Sequence, residues 1–321
     1  MTVHVIAGAG TIGSGAALLL AEQGHHVRLV SRSGRGPNHP RITTTALDLA
    51  HPNAVEDLSR IAAGAASLVN AMNPPYTKWP TEWPPLANTL LRAAEITGAG
   101  LVTVGNLYGY GRVDGPMRED QPFAPTGHKG ATRAQMWTDA LAAHTAGRVR
   151  ATEIRGSDYF GPGGGRYSYL GYQVLRPAIA GKTVRLLFGN PDAAHSWTYL
   201  PDFSAAVAAL ATREPTSTTW GRPWHVPTAP PRSVLEALAD LAEFTGQKQV
   251  NVSLMPGRTL LMRVVPILRE FTETSHQFEH PYVVDSTLTQ QTLGLTLTPW
   301  QTALAETVLS LGGRPAVPAQ R

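Results

Sequence analysis

VHVIAGAGTIGSGAALLLAEQGHHVRLVS, Val3–Ser31, decides how the rest of the chain is read. It opens on a short apolar run, VHVIAG, of the kind that forms a buried strand. Glycines follow at Gly8, Gly10 and Gly13, and then AALLLAEQGH, a helical stretch stopped by Gly24. HVRLVS, His26–Ser31, is a second apolar strand. Strand, glycine turn, helix and strand make a βαβ unit, and within it the three glycines fit G-x-G-x-x-G. Gly8 allows the tight turn, Gly10 lets the backbone approach a pyrophosphate, and Gly13 lets the helix pack on the sheet. The helix start offers backbone N–H groups to that anion. The stretch therefore predicts a dinucleotide site, with Thr11 and Ile12 in the same turn.

The rhythm continues downstream. RITTTALD reads as a third strand, VEDLSRIAAG as a helix, ASLVNAM as a fourth strand, and PLANTLLRAAEITGAG as a helix ending in glycine. LVTVGN is a fifth strand, Thr126–Gly147 is helical, and RVRATEIRG is a sixth strand. Strands alternating with helices predict an α/β fold, a Rossmann-like doubly wound parallel sheet covered on both faces. After Gly156 the rhythm breaks at the glycine-rich DYFGPGGGRYSY. The expected organisation is a dinucleotide-binding domain over 1–155, its sheet completed by a strand near 223–227, and a smaller C-terminal part over 156–321, mainly a substrate-binding cap. GGRPAVPAQR predicts a disordered tail near 312–321.

Composition sets limits. The chain has 321 residues, 42% hydrophobic and 16% charged, which suits a globular protein with a large core. There is no cysteine, so disulfides and zinc–thiolate sites are excluded. MTVHVIAGAG lacks a charged n-region, so no signal peptide is read and the expected location is cytoplasmic. No apolar run approaches the roughly 18 residues of a membrane span. The net charge of +4 is spread thinly, without basic runs or interleaved aromatics, so a small molecule rather than nucleic acid is the expected partner.

The second strand ends in LVSRSGRG, where an NAD site would place a carboxylate to hold the ribose hydroxyls. None occurs between Glu22 and Asp48. Ser31, Arg32 and Ser33 suit a 2′-phosphate instead, so the expected cofactor is NADP (NADPH). Arg28, Arg35 and Arg41 lie in the same basic region. Asp48 and Leu49, after the third strand, fall where the adenine would lie. Asn70, Ala71 and Met72, after the fourth, would run along the cofactor.

With these residues in place, the chain resembles the extended short-chain dehydrogenase/reductase superfamily, in particular its NAD-dependent epimerase/dehydratase family. AGAGTIGSG resembles that family's glycine motif, with Ala7 in place of the usual first glycine. LYGYG resembles its V-Y-G segment, IRGSDYFGPGG its R-x-x-x-x-Y-G-P-G segment, and SWTYLPDFSAAV its later acidic segment, with Asp202 at the acidic position. The resemblance implies a Tyr-x-x-x-Lys pair and a Ser or Thr at the end of the fifth strand. The tyrosine would move a proton while hydride moves on the cofactor. Lys129 matches the lysine, and it would also hold the nicotinamide ribose. Four residues earlier stands Pro125, and the serine position falls at Val104. The expectation is an atypical member without the tyrosine.

Candidate catalytic groups are then Lys129, Tyr159 and His195. His128 is expected to face away from Lys129, since helix neighbours point about 100° apart. Tyr76 and Trp79, in the proline-rich loop after the fourth strand, join Tyr108, Tyr159 and His195 as candidate substrate contacts. No metal motif and no nucleophile elbow is present in the sequence. The leading expectation is an NADP-dependent oxidoreductase reducing a carbonyl-like group on a small organic molecule. Two alternatives stay open: a non-catalytic NADP-binding sensor resembling NmrA-like regulators, and a nucleotide-sugar epimerase or dehydratase. The resemblance also implies a possible homodimer through the helices Pro85–Thr97 and His128–Ala146.

Overall fold

Val5, Ile6 and Ala7 are fully buried, as the apolar opening of β1 (Val3–Ala7) requires. In the computed structural model, which describes residues 1–265, 268 and 270–316, β1 lies between β2 (His26–Ser31) and β4 (Ser67–Asn70) and is parallel to both. Adding β3 (Ile42–Ala46), β5 (Gly100–Asn106), β6 (Ala151–Gly156) and β10 (Pro223–His225) gives a seven-stranded sheet of order β10-β6-β5-β4-β1-β2-β3. The chain order reverses between β1 and β4. In a doubly wound sheet that switch point opens a crevice beyond the carboxyl ends of the strands.

Helices α1 (Thr11–Glu22), α2 (Ala54–Ala62), α3 (Trp79–Thr97) and α4 (His128–Thr145) connect these strands. Leu58, Leu90, Ala93, Ala94, Trp137 and Ala143 bury their stripes against Val5, Val30 and Leu68. The apolar faces of α3 and α4 are thus used within this core. Helix α3 starts at Trp79, not at Pro85 as its proline run suggested. Pro80 sits in the first turn, where N–H groups have no intrahelical partner and proline costs little. Pro84 and Pro85 follow inside the helix, which buries Trp79 and Trp83 in its first two turns.

Two compact units emerge. The first comprises Met1–Gly111, Glu119–Arg155 and Phe203–Val226, and holds the sheet. Within it, Gly15 admits Ser204 of α6 (Leu200–Ala211): a Cβ there would lie 2.4 Å from the serine Oγ. The second comprises Arg112–Arg118, Gly156–Asp202 and Pro227–Arg321. Its strands are short parallel pairs, β7 (Tyr159–Phe160) with β9 (Thr198–Tyr199), and β8 (Val184–Leu186) with β11 (Val252–Leu254). Phe160, Leu170, Trp197, Leu238, Trp300 and Leu304 form its core. Helix α7 (Val234–Thr245) starts on a capping box between Ser233 and Glu236, which satisfies two of its end donors. Part of the stretch expected as a tail is held by hydrogen bonds: Gly313 donates to Val308 and Ala316 to Phe244. The remainder of that expectation, 317–321, lies outside the described residues. No described helix is long and apolar enough to cross a membrane.

Candidate functional site: a glycine cradle beside a buried lysine

The glycine turn after β1 closes as its spacing demands. Gly8 adopts φ +114°, a conformation that L side chains rarely reach. A Cβ on Gly8 would meet the Ala71 carbonyl oxygen at 2.4 Å, and one on Gly13 would meet the Gly8 oxygen at 2.0 Å. A Cβ on Gly10 would meet nothing within 4 Å. Packing therefore fixes two of the glycines, and the third faces open space. Gly10 is also the N-cap of α1, and no side chain caps that helix. An uncapped start beside an open glycine is a cradle of the right polarity for a phosphate. The end of β4 closes its side. Ala71 N–H donates to Ala7 O at 2.8 Å, and Asn70 Oδ1 accepts from Met72 N–H at 3.3 Å. Gly8, Gly10, Thr11, Ile12 and Gly13 thus lie with Asn70, Ala71 and Met72, and the arrangement fits a dinucleotide's pyrophosphate.

On the β2 side the loop folds on itself. Ser31 Oγ donates to Arg35 O at 3.1 Å, and Ser33 Oγ accepts from Arg35 N–H at 3.4 Å. Arg32 is exposed at the carboxyl end of β2. Arg28 does not belong with it. Its guanidinium donates to Ile61 O at 2.6 Å and Ala63 O at 3.0 Å, satisfying carbonyls at the end of α2. Asp48 Oδ1 accepts from Ala50 N–H at 3.0 Å, which shapes the turn after β3, and Leu49 is buried behind it.

Lys129 is the second residue of α4 and is 2% exposed. Gly130 makes this burial possible. A Cβ there would lie 2.5 Å from Tyr108 O, so only glycine lets the first turn of α4 press on the segment after β5. The Lys129 ammonium lies over the Tyr76 ring, 4.5 Å from its centroid. The Tyr76 hydroxyl donates to the Tyr108 hydroxyl at 3.5 Å. Trp79 supports both rings, with centroids 5.2 Å from Tyr76 and 5.9 Å from Tyr108. It is 3% exposed, and its indole N–H donates to Pro74 O at 3.1 Å. The sequence pointed to Tyr76, Trp79, Tyr108 and Lys129 separately, and the fold makes them one cluster. His128 is exposed, and so are Pro125 and Thr126.

Sequence reading missed the charges beneath. Arg133, one turn after Lys129, is 7% exposed and stacks on Trp79 at 4.6 Å and Trp83 at 4.4 Å. Burial lowers its pKa to about 10. Its i+4 spacing from Lys129 was the available signal. Glu153 and Arg155 on β6 form a buried ion pair at 2.8 Å. Arg155 also donates to Tyr110 Oη at 2.7 Å, and that hydroxyl contacts His225 Nε2 at 2.9 Å. Burial pushes Tyr110 up to about 12. This network anchors the segment after β5 that carries Tyr108.

In the second unit, His195 is 3% exposed, and both of its ring nitrogens are engaged. Nδ1 lies 3.0 Å from Gln277 O and Nε2 lies 3.1 Å from Asp158 Oδ2. The ring stacks on Phe278 with centroids 5.0 Å apart. Asp158 was not singled out, although it directly precedes Tyr159. The Tyr159 hydroxyl is pushed up to about 12 by burial first, and then by Asp158 and Tyr167. Asp202 accepts from Thr298 N–H at 2.8 Å and Thr298 Oγ1 at 2.7 Å, a structural tie.

The profile of the family described as NAD dependent epimerase/dehydratase matches residues 3–220. No curated protein matches the chain. Among solved structures, UDP-glucuronic acid 4-epimerase from Bacillus cereus, in complex with UDP-glucuronic acid and NAD, is 16% identical with a TM-score of 0.76, covering 97% of this chain and 99% of that one. MoeE5 in complex with UDP-glucuronic acid and NAD is 20% identical at a TM-score of 0.75, covering 96% and 98%. The dTDP-glucose 4,6-dehydratase from Bacillus anthracis str. Ames, in complex with NAD, is 16% identical at 0.75, covering 97% of each chain. At these identities the likeness is one of fold.

Proposed function

The chain belongs to the NAD dependent epimerase/dehydratase family, and on that premise we propose that it is a dinucleotide-dependent epimerase or dehydratase acting on a nucleotide sugar. The observation that carries this reading is the open Gly10 cradle in the same compact unit as a buried lysine set over the Tyr76 ring. The solved relatives contribute the substrate class: two of them hold UDP-glucuronic acid beside NAD.

In this reading Gly8–Gly13 and the start of α1 hold the pyrophosphate. Asn70, Ala71 and Met72 line its path, and Lys129 holds the nicotinamide ribose. The bound dinucleotide supplies a hydride acceptor and donor. The remaining work falls to the chain. Lys129, kept dry by Tyr76 and Gly130, fixes the ribose and adds positive charge beside the reacting carbon. Ser31, Arg32 and Ser33 receive the adenosine ribose; with no carboxylate at the end of β2, they support the 2′-phosphorylated form, NADP. In the second unit His195, buried and with both ring nitrogens engaged, fixes Asp158 rather than meeting a ligand, and Tyr159 directly follows Asp158. Tyr159, pushed up to about 12, keeps its proton near neutral pH and serves as a hydrogen-bond donor.

A second reading has two specific observations in its favour. Pro125 stands where the resemblance implies a tyrosine, and Arg32 stands where an NAD carboxylate would be. Both suit an atypical NADPH-dependent reductase of a carbonyl-like group. Incubation with NAD or NADP and either UDP-glucose or UDP-glucuronic acid, with sugar products analysed by NMR, tests the leading reading. It predicts an isomerised or dehydrated sugar. Unchanged sugars, together with NADPH consumption on simple aldehydes or ketones, would leave the reductase standing instead.

A further inference from the structure

We propose that Tyr76 is the proton-transferring hydroxyl of this site, held ready to ionise by Lys129 and positioned by Tyr108. The inference rests on the family reading above but adds a residue from a different element, the loop after β4. Three observations converge on it. First, place: Tyr76 follows the carboxyl end of β4, the neighbour of β1 and its glycine cradle, and Tyr108 follows that of β5, the next strand out. Ligands of doubly wound sheets bind at those strand ends. Second, charge: the Lys129 ammonium stands 4.5 Å above the Tyr76 ring. A phenolate ring is richer in electrons than a phenol ring and attracts the cation more strongly. By linkage the cation therefore favours ionisation, and at a half-buried ring it does so against a smaller desolvation penalty than a fully buried tyrosine meets. Third, access: Tyr76 and Tyr108 are both half-buried, whereas the lysine beneath is almost fully buried.

Charged groups of both signs lie nearby, and the Glu153 carboxylate of β6 acts on Arg133. Lys129 and Arg133 come from α4. Lys78, two residues on, is exposed and pairs with Glu82 at 3.3 Å. Tyr108 offers its oxygen as acceptor at 3.5 Å, a long contact of the kind that tightens when a ligand binds. Other tyrosines of the chain are raised, including Tyr110, which also has a cation over its ring, Arg155 at 5.0 Å. Tyr110, Tyr159, Tyr169 and Tyr199 are all pushed up, by burial first, and carboxylates beside them add to the rise.

The step balances simply. Tyr76 as phenolate takes the proton of a substrate hydroxyl, the C–H electron pair leaves as hydride to the dinucleotide, and the C–O bond becomes a carbonyl. Returning the hydride to that carbon, with the proton from Tyr76, restores the alcohol.

Spectrophotometric titration of the full chain at the tyrosinate band tests this without any substrate. The proposal expects one tyrosine to ionise at least about one unit below the ordinary value near 10. That step disappears in Tyr76→Phe, persists in Tyr108→Phe, and moves upward in Lys129→Met. Absence of an early step in the wild type, its survival in Tyr76→Phe, or its loss in Tyr108→Phe alone would overturn the assignment. Phenylalanine keeps the ring, and circular dichroism with thermal melting reports whether each variant is folded. On nucleotide sugars, Tyr76→Phe lowers turnover at least about 100-fold with dinucleotide affinity within about twofold. A normal titration step combined with inert nucleotide sugars removes the substrate reading and leaves Tyr76 in place.

Discussion

On the proposed reading Lys129 carries two separable loads, and substitution tells them apart. Lys129→Met keeps the buried stem and removes the ammonium. It is expected to weaken dinucleotide binding roughly tenfold, the size of one charge-assisted hydrogen bond, and to cut turnover far more, about 100-fold or beyond. Fluorescence titration and steady-state rates separate the two. A variant with unchanged affinity and unchanged rate would reduce Lys129 to packing. Arg32→Ala addresses the other end of the cofactor. Its guanidinium is exposed, so stability should not move, while the dissociation constant for NADPH rises roughly tenfold and that for NADH stays level. Equal effects on both would show that Arg32 does not read a 2′-phosphate. At this scale the sequence was informative about identity and silent about company. Lys129 was readable from the resemblance, but its contact with Tyr76 joins residues 53 positions apart, and nothing local encodes it. Arg133 was missed for another reason: beyond its i+4 spacing from Lys129, a buried arginine stacked on two tryptophans looks in sequence like any helix-surface cation.

The elements around β1 make their own predictions. Gly10→Ala adds a methyl group into open space. Thermal stability should stay within a degree or so of the wild type, but dinucleotide affinity should fall by roughly tenfold or more, because the methyl group occupies the phosphate's approach. Gly13→Ala is expected to differ. Its Cβ would sit 2.0 Å from Gly8 O, so stability falls too, by about 1–3 kcal/mol. Equal melting temperatures for these two variants would contradict the packing account. β1 also holds a pH-sensitive tie. His4 lies 2.8 Å from Ser67 Oγ on β4 and 3.0 Å from Thr2 Oγ1. Burial, and secondarily His25, lowers its pKa from 6.5 to about 4. The unfolded chain therefore binds the proton first as pH falls. Stability is full above about 6.5 and is lost between there and about 4, by roughly 3 kcal/mol. Melting curves across that range should show a steeper decline for the wild type than for His4→Asn. The glycine turn and the strands were legible because their signals are local. The start of α3 was not, because tertiary burial of Trp79 and Trp83 outweighs the proline signal.

Across the whole molecule, the parallel sheet with flanking helices was legible from the alternation of elements alone, and it matches the fold of the solved epimerases and dehydratases. The reaction was less legible. Pro125 and Arg32 turned the sequence reading toward simple carbonyl reduction, whereas the family match over residues 3–220 favours the epimerase/dehydratase reading. The reason is physical: a proline at 125, ahead of α4, says nothing about which hydroxyl another loop supplies. Epimerisation and dehydration both return the hydride they take, and simple reduction does not. UDP-glucose carrying deuterium at sugar carbon 4, incubated with the full chain and dinucleotide, distinguishes them most directly. The account predicts a converted sugar that retains the deuterium, with no net accumulation of reduced dinucleotide. Deuterium released in free reduced dinucleotide, or a sugar left unconverted while NADPH is consumed on a carbonyl compound, would contradict it.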